Sequence, residues 1–202
     1  MVDNWSFFYY NSKKRKRMDI IVTKTKLSIR ELAYVALFSA LIVAFSQVSI
    51  PMPIGLPMTL QTFVIPLAGV VLGAKLGTLS VLGYLLIGIV GLPVFSGGGS
   101  GIGWFLGPTG GFLFGFPFYA LCAGIGAQLK KQWTLVLGLL LGMVITYLFG
   151  MLQFAFVTGQ SIPQAFFLVV FQFMPTEIIK LAFVWVLGGK IRKLLEASGY
   201  LL

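Results

Sequence analysis

The sequence predicts an all-α integral membrane fold of six spanning helices, and three observations carry that prediction. Of 202 residues, 58% are hydrophobic and 10% charged, whereas a soluble domain is about 45–50% apolar and about 25% charged. Apolar runs fall at 32–50, 58–73, 78–93, 110–129, 133–157 and 174–192, and about 20 residues suffice to cross a bilayer. The basic residues collect between alternate runs, as they do in cytoplasmic loops. The expected organisation is a basic cytoplasmic segment at 1–30, a six-helix domain at 31–193 and a short cytoplasmic tail at 194–202.

The N-terminal segment carries an unbroken basic run from Lys13 to Arg17, then Lys24, Lys26 and Arg30. A basic stretch ahead of an apolar one can be a signal peptide, but the run from Leu32 to Ile50 is long for that and no polar domain follows. It reads as a retained first span, with Met18 as an alternative start. Ala33, Ala36, Ala40 and Ala44 recur along it at three and four residues. Such small-residue stripes let another helix pack closely, either within the bundle or from a partner.

The next connection, Ile50 to Pro57, holds three prolines and leads into Met58-Thr59-Leu60-Gln61-Thr62. Prolines favour extended backbone, and Thr59 and Gln61 then stand at a span entrance. The second and third runs are short for about 30 Å of hydrocarbon. They demand little tilt, or irregular backbone that lines a cavity. A second connection, Ser96 to Gly111, has eight glycines in sixteen residues, which suits a lid or pocket wall as well as an ordinary loop. It is no nucleotide site: no G-x-x-x-x-G-K-[ST] occurs in the chain. The Phe-rich stretch Phe112–Phe118 reads as lipid-facing or interfacial.

A single helix over 164–192 would bury Pro175 in its interior at about 3 kcal/mol. Pro175 in the first turn of a new helix avoids this. The segment is therefore split into a short helix at Ser161–Gln172, at the outer face, and a sixth span from about Met174. With both termini inside, the cytoplasmic segments hold fourteen of the fifteen Lys and Arg residues and the outer loops hold none. The net charge of +10 is thus a topology signal, and nucleic acid is not an expected partner.

The fifteenth basic residue, Lys180, lies in the last span with Glu177, the one acid outside the flanking segments. Three residues apart, they share a helix face. A charge at the bilayer centre costs about 2.5–3.5 kcal/mol on the insertion scale. The pair is either a salt bridge that orients the helix or the polar anchor of an oily ligand pocket. With no histidine and one cysteine, Cys122, a zinc site, a haem ligand or a catalytic triad has almost no residues to draw on. No catalytic residue, metal or cofactor is expected.

The strings Pro57-Met-Thr-Leu-Gln-Thr62, Gly91-Leu-Pro-Val-Phe95 and Gly107-Pro-Thr-Gly-Gly111 with Gly115-Phe116 resemble those of the BioY family, over residues 30 to 193. BioY proteins are substrate-capture (S) components of energy-coupling factor (ECF) biotin transporters. The resemblance implies a six-helix S-component bundle that takes biotin at the outer face. It also implies a transmembrane coupling subunit and two ATPases on other chains. It assigns the head-group ligands to Glu177 and Lys180; the acid is Asp in many relatives. Gln61 and Thr59 would complete the polar set, with backbone of Gly97, Gly98 and Gly99 and nearby aromatics over the ring. Some relatives carry a ligand-touching Asn where Gly99 stands here, so a backbone N–H or Ser100 would replace it. Ala36 and Ala40, with Ala33, would dock on the coupling subunit. From the residues alone, an S component for another vitamin and a stand-alone proton-coupled carrier using Glu177 stay open.

Overall fold

The computed structural model describes residues 27–52 and 56–199. Most of the basic segment, Met18, Pro53–Gly55 of the proline-rich connection and the last three residues of the tail lie outside the described residues. Two units are distinguished, Met1–Ala33 and Tyr34–Leu202.

In the first unit the described part is the start of a helix, α1 (Ile29–Gln47). Ser28 and Glu31 cap it reciprocally. The Ser28 N–H donates to Glu31 Oε2 at 2.7 Å and the Glu31 N–H to Ser28 Oγ at 3.1 Å, which satisfies two orphan donors of the first turn.

In the second unit α1 buries Ser39, Ile42 and Ser46 and exposes Ala36, Ala40 and Ala44; Ala33, in the first unit, is exposed as well. The helix ends at Gln47 rather than at Ile50. The β-branched pair Val48 and Ile50 precedes Pro51, which disfavours helix, and Ser49–Ile50 (β1) instead pairs antiparallel with Met58–Thr59 (β2). This small ribbon, absent from the all-α expectation, brings both ends of the proline-rich connection together.

Helix α2 (Gln61–Ile89) is not one rod. Gly73 lies at φ 82°, ψ 173°, a region open essentially to glycine alone, and the chain reverses there. Gln61 Nε2 donates to the hydroxyl of Tyr84, 23 residues away, at 2.5 Å; in one straight helix the two would stand about 35 Å apart. A Cβ on Gly77 would come within 2.6 Å of the Gly69 Cα, so the arms touch. The short runs expected at 58–73 and 78–93 are therefore two arms, 61–72 and 74–89, joined by a single-residue turn. The expected connection at 74–77, with Lys75, is already helical.

A short helix α3 (Gly103–Leu106) and α4 (Gly110–Gln128) follow. Next comes α5 (Gln132–Thr158), stopped by Gly159 in a left-handed conformation (φ 70°). Glycines let α4 lie against both neighbours. Gly124 meets Ala74 of α2, and Gly115 and Gly126 meet Thr146 and Gly138 of α5. This is the small-residue packing of membrane bundles. On α5, Leu139, Met143, Tyr147 and Met151 are buried while Leu137, Leu141, Val144 and Leu148 are exposed. A helix apolar on every side needs an apolar surrounding medium.

The last two helices, α6 (Ile162–Phe171) and α7 (Met174–Ala197), meet at a 43° bend. Pro175 sits in the first turn of α7, where it costs no hydrogen bond. Among the described residues, four helices are long and apolar enough to cross a membrane, or five if the bent pair counts as one span. The protein is a multi-pass membrane protein. At its far end α7 is tied to α2, where Arg192 Nη1 donates to the Val70 carbonyl at 3.0 Å.

Candidate functional site

A cavity of about 590 Å³, its mouth included, opens among the N-terminal ends of α2, α4 and α7. The strand pair and the glycine-rich connection deliver the rest of its wall. Its apolar lining comes from Leu56, Phe95, Trp104, Phe112, Leu113, Phe116 and Phe173. Its polar groups are Thr59, Gln61, Thr62, Ser96, Thr109, Tyr147, Glu177 and Lys180. An oily chamber with a few directed polar atoms is what small-molecule sites usually are.

Glu177 is 1% exposed, and its two oxygens differ. Oε1 accepts from Lys180 Nζ at 2.6 Å and from Thr62 Oγ1 at 2.7 Å. Among the described residues, Oε2 is buried without a hydrogen-bond partner. Lys180 Nζ also donates to the Thr59 carbonyl at 2.9 Å and to Thr62 Oγ1 at 3.0 Å. All three ammonium protons are therefore engaged within the protein. The ion pair removes the net charge, Thr62 fixes the carboxylate plane, and one acceptor is left over. A buried polar atom without a partner forgoes about 1–3 kcal/mol. The arrangement therefore favours a molecule that brings an N–H or O–H to Oε2.

Among the described residues, a second unpartnered polar atom on the cavity wall is Ser96 Oγ. Ser96 follows Phe95, which is 1% exposed and packs edge-on against Tyr84 and Phe105. The chain is fixed here from below, because Ser46 Oγ donates to the Val94 carbonyl at 2.5 Å and Gln47 Nε2 to the Phe95 carbonyl at 3.1 Å. Gln153 Nε2 holds the other end of the connection through the carbonyls of Phe105 and Gly107, at 2.6 and 2.9 Å.

The expected site residues divide into two groups. Glu177, Lys180, Gln61 and Thr59 share the cavity wall, although Thr59 and Gln61 are largely satisfied by each other and by Tyr84. Thr59 Oγ1 donates to Gln61 Oε1 at 3.1 Å. Gly97, Gly98, Gly99 and Ser100 do not line it. The reason is local: the Phe95 N–H bonds the Gly99 carbonyl at 2.9 Å and the Gly98 N–H bonds the Phe95 carbonyl at 3.1 Å. The loop curls on itself and spends those groups. Gly99 lies against the Trp104 indole, where any Cβ would collide with the ring, so the glycines shape the wall by seating Trp104.

Sequence reasoning missed Thr62, Ser96 and Tyr147, and expected nearby aromatics over the ring without naming which; the structure supplies Phe95, Trp104, Phe112, Phe116 and Phe173. The Phe-rich stretch is split: Phe112 and Phe116 face the cavity, while Phe114 and Phe118 are exposed. The four-residue spacing of Phe112 and Phe116 was the available signal. Ala36 and Ala40 are exposed and are not among the residues that line the cavity; Ala33, in the first unit, is exposed too.

Fold and cavity together define a helical membrane protein built to hold a small, partly polar molecule. The chain belongs to the BioY family, whose sequence profile matches residues 18–197. Similar proteins include a BioY protein of Pyrococcus horikoshii, 38% identical over 167 residues, which span 82% of this chain and 98% of that one. The biotin transporter BioY of Thermotoga maritima is 37% identical, again over 82% of this chain and 98% of its own. A solved structure described as the S-component for biotin from an ECF-type ABC transporter matches with a TM-score of 0.76 and 29% identity. It covers 82% of this chain and 92% of that chain.

Proposed function

We propose that this chain is the biotin-capturing S component of an ECF-type ABC importer. The observation that carries the reading is the unpartnered Glu177 Oε2, held by Lys180 and Thr62 on the wall of an aromatic cavity. A cyclic urea presents an N–H donor beside a carbonyl acceptor on a compact ring. Glu177 Oε2 accepts the ureido N–H, and Ser96 Oγ offers a second polar contact. Lys180 is first a positioning group, since its protons are engaged; a ligand carbonyl reaches it by replacing the Thr59 carbonyl. Thr59 and Gln61 hold the polar end in shape. Phe95, Trp104, Phe112 and Phe116 cover the apolar ring, and Gly97, Gly98, Gly99 and Ser100 act through the loop that seats them. Biotin is the cargo, and no cofactor takes part.

The six-span reading is supported by the reversal at Gly73, which turns α2 into two short spans, and by the bend before α7. The positive-inside rule argues for cytoplasmic termini, capture at the outer face of the cell membrane and an outer position for α6. The exposed Ala36, Ala40 and Ala33 stripe would receive the coupling subunit, and two ATPases would supply the energy. Equilibrium binding to the purified chain tests the reading, with Trp104 as the fluorescent reporter and thiamin and riboflavin as controls. Tight binding of biotin alone, without ATP or partners, is expected. Preference for another vitamin, or no binding by folded protein, would overturn it.

A further inference from the structure

At the opposite end of the bundle from the cavity lies a second, basic recess of about 640 Å³, its open mouth included. Along α4, Thr109 and Ala127 mark the two ends, about 27 Å apart. The recess is lined by Lys130 and Lys131 of the α4–α5 turn, by Arg192, Lys193 and Glu196 of α7, and by the foot of α5. Four cations face one carboxylate there. Arg192 is already engaged, through Nε with Glu196 at 2.9 Å and through Nη1 with the Val70 carbonyl. The ammonium groups of Lys130, Lys131 and Lys193 have no hydrogen bond or ion pair among the described residues. The floor at Gly189 is open, as a Cβ there would meet nothing within 4 Å.

The recess continues into an apolar groove on the same seam between α5 and α7. Val136, Leu139 and Leu140 follow Leu135 up α5. Leu181, Ala182 and Trp185 lie on α7 at helical spacing from Gly189 and Arg192. Where recess and groove meet, Trp185 Nε1 donates to Gln132 Oε1 at 2.9 Å. Tryptophans of this kind mark the level of the lipid head groups.

We infer that this seam binds one anionic phospholipid, its phosphate among Lys130, Lys131 and Lys193 and one acyl chain along the Leu140–Ala182 groove. Basic recesses between membrane helices attract anionic head groups. An apolar groove continuing from one adds the matching surface for an acyl chain. The occupant combines both halves, which a free phosphate cannot.

The test uses the full chain in nanodiscs of equal phosphatidylglycerol and phosphatidylcholine, extracted into detergent, with co-purifying lipid counted by mass spectrometry. Phosphatidylglycerol should be retained about fivefold or more over phosphatidylcholine. The combined Lys130→Gln, Lys131→Gln and Lys193→Gln variant should bring the ratio close to one. Ala182→Phe, which fills the groove, should lower phosphatidylglycerol retention with the lysines intact. Millimolar glycerol 3-phosphate should leave the wild-type ratio unchanged. Equal retention of the two lipids, or a triple variant that keeps the preference, would overturn the site. Complete displacement by glycerol 3-phosphate would overturn the phospholipid as its occupant. Raising the salt concentration on the wild-type protein gives an independent reading: an ionic site loses its preference, and a preference indifferent to salt would count against it.

Discussion

Glu177→Gln is the sharpest probe of the cavity, because it keeps the shape of the side chain and removes one property. In the native site Oε1 takes both internal donors, Lys180 Nζ and Thr62 Oγ1, and Oε2 is left as an acceptor. A glutamine has one oxygen. If that oxygen stays with Lys180 and Thr62, the amide nitrogen faces the cavity and opposes a ligand N–H, donor against donor. If the amide turns over, its NH2 faces the ammonium and the ligand gains an acceptor at the expense of the internal contacts. Either orientation forfeits a charge-assisted hydrogen bond, worth about 1.5–3 kcal/mol. That corresponds to a roughly 10- to 150-fold rise in the Kd for biotin. Titration of the purified variant by Trp104 fluorescence or calorimetry measures it, with a monodisperse elution profile as the check on folding. A folded variant whose Kd stays within twofold of the native protein would refute the assignment of Oε2 as the ligand's acceptor.

Lys180→Met leaves the buried Glu177 carboxylate without its counter-charge. A loss of about 3–5 kcal/mol in stability is expected, part of it restored by adding Glu177→Leu, as read from thermal unfolding in detergent. Thr62→Val removes the hydroxyl that both charges use, and should cost about 1–3 kcal/mol in stability or biotin affinity, while Thr62→Ser should stay close to native in both. Gly73→Ala forces a Cβ into φ 82° and to within 2.7 Å of Gln128 Nε2. Strain of about 1–3 kcal/mol should lower the thermal midpoint. Ala36→Leu with Ala40→Leu should abolish co-purification with the coupling subunit and leave the biotin Kd unchanged in the isolated chain.

The parts of this molecule that were legible in the sequence are those where membrane solvation leaves few alternatives. Glu177 and Lys180 stood out because an ionised group among apolar neighbours demands a partner or a function. Pro175 marked a helix start because its ring tolerates few other places. The two short runs before residue 93 announced something other than ordinary spans, yet a reversal achieved by Gly73 alone could not be told from a loop around Lys75. Thr62 was hidden for a different reason. A hydroxyl in a membrane helix usually bonds its own backbone, and nothing local distinguishes one that meets a carboxylate 115 residues away. The glycine-rich connection was harder to read. Its residues were expected at the ligand, whereas the Phe95–Gly99 pairing folds the turn on itself, leaves Gly97 and Gly98 exposed and puts Ser96 and Trp104 on the cavity wall.

The attachments of α7 have a mechanical consequence. At one end Lys180 grips Thr59 and Thr62, and at the other Arg192 grips Val70. All three residues belong to one short stretch of chain, the first arm of α2 and its approach. Two rods lashed together at both ends cannot slip lengthwise, so they carry load as a single strut. A displacement of α7 at its basic end is therefore coupled, through these contacts, to the stretch of chain that holds Thr59 and Thr62 beside the carboxylate.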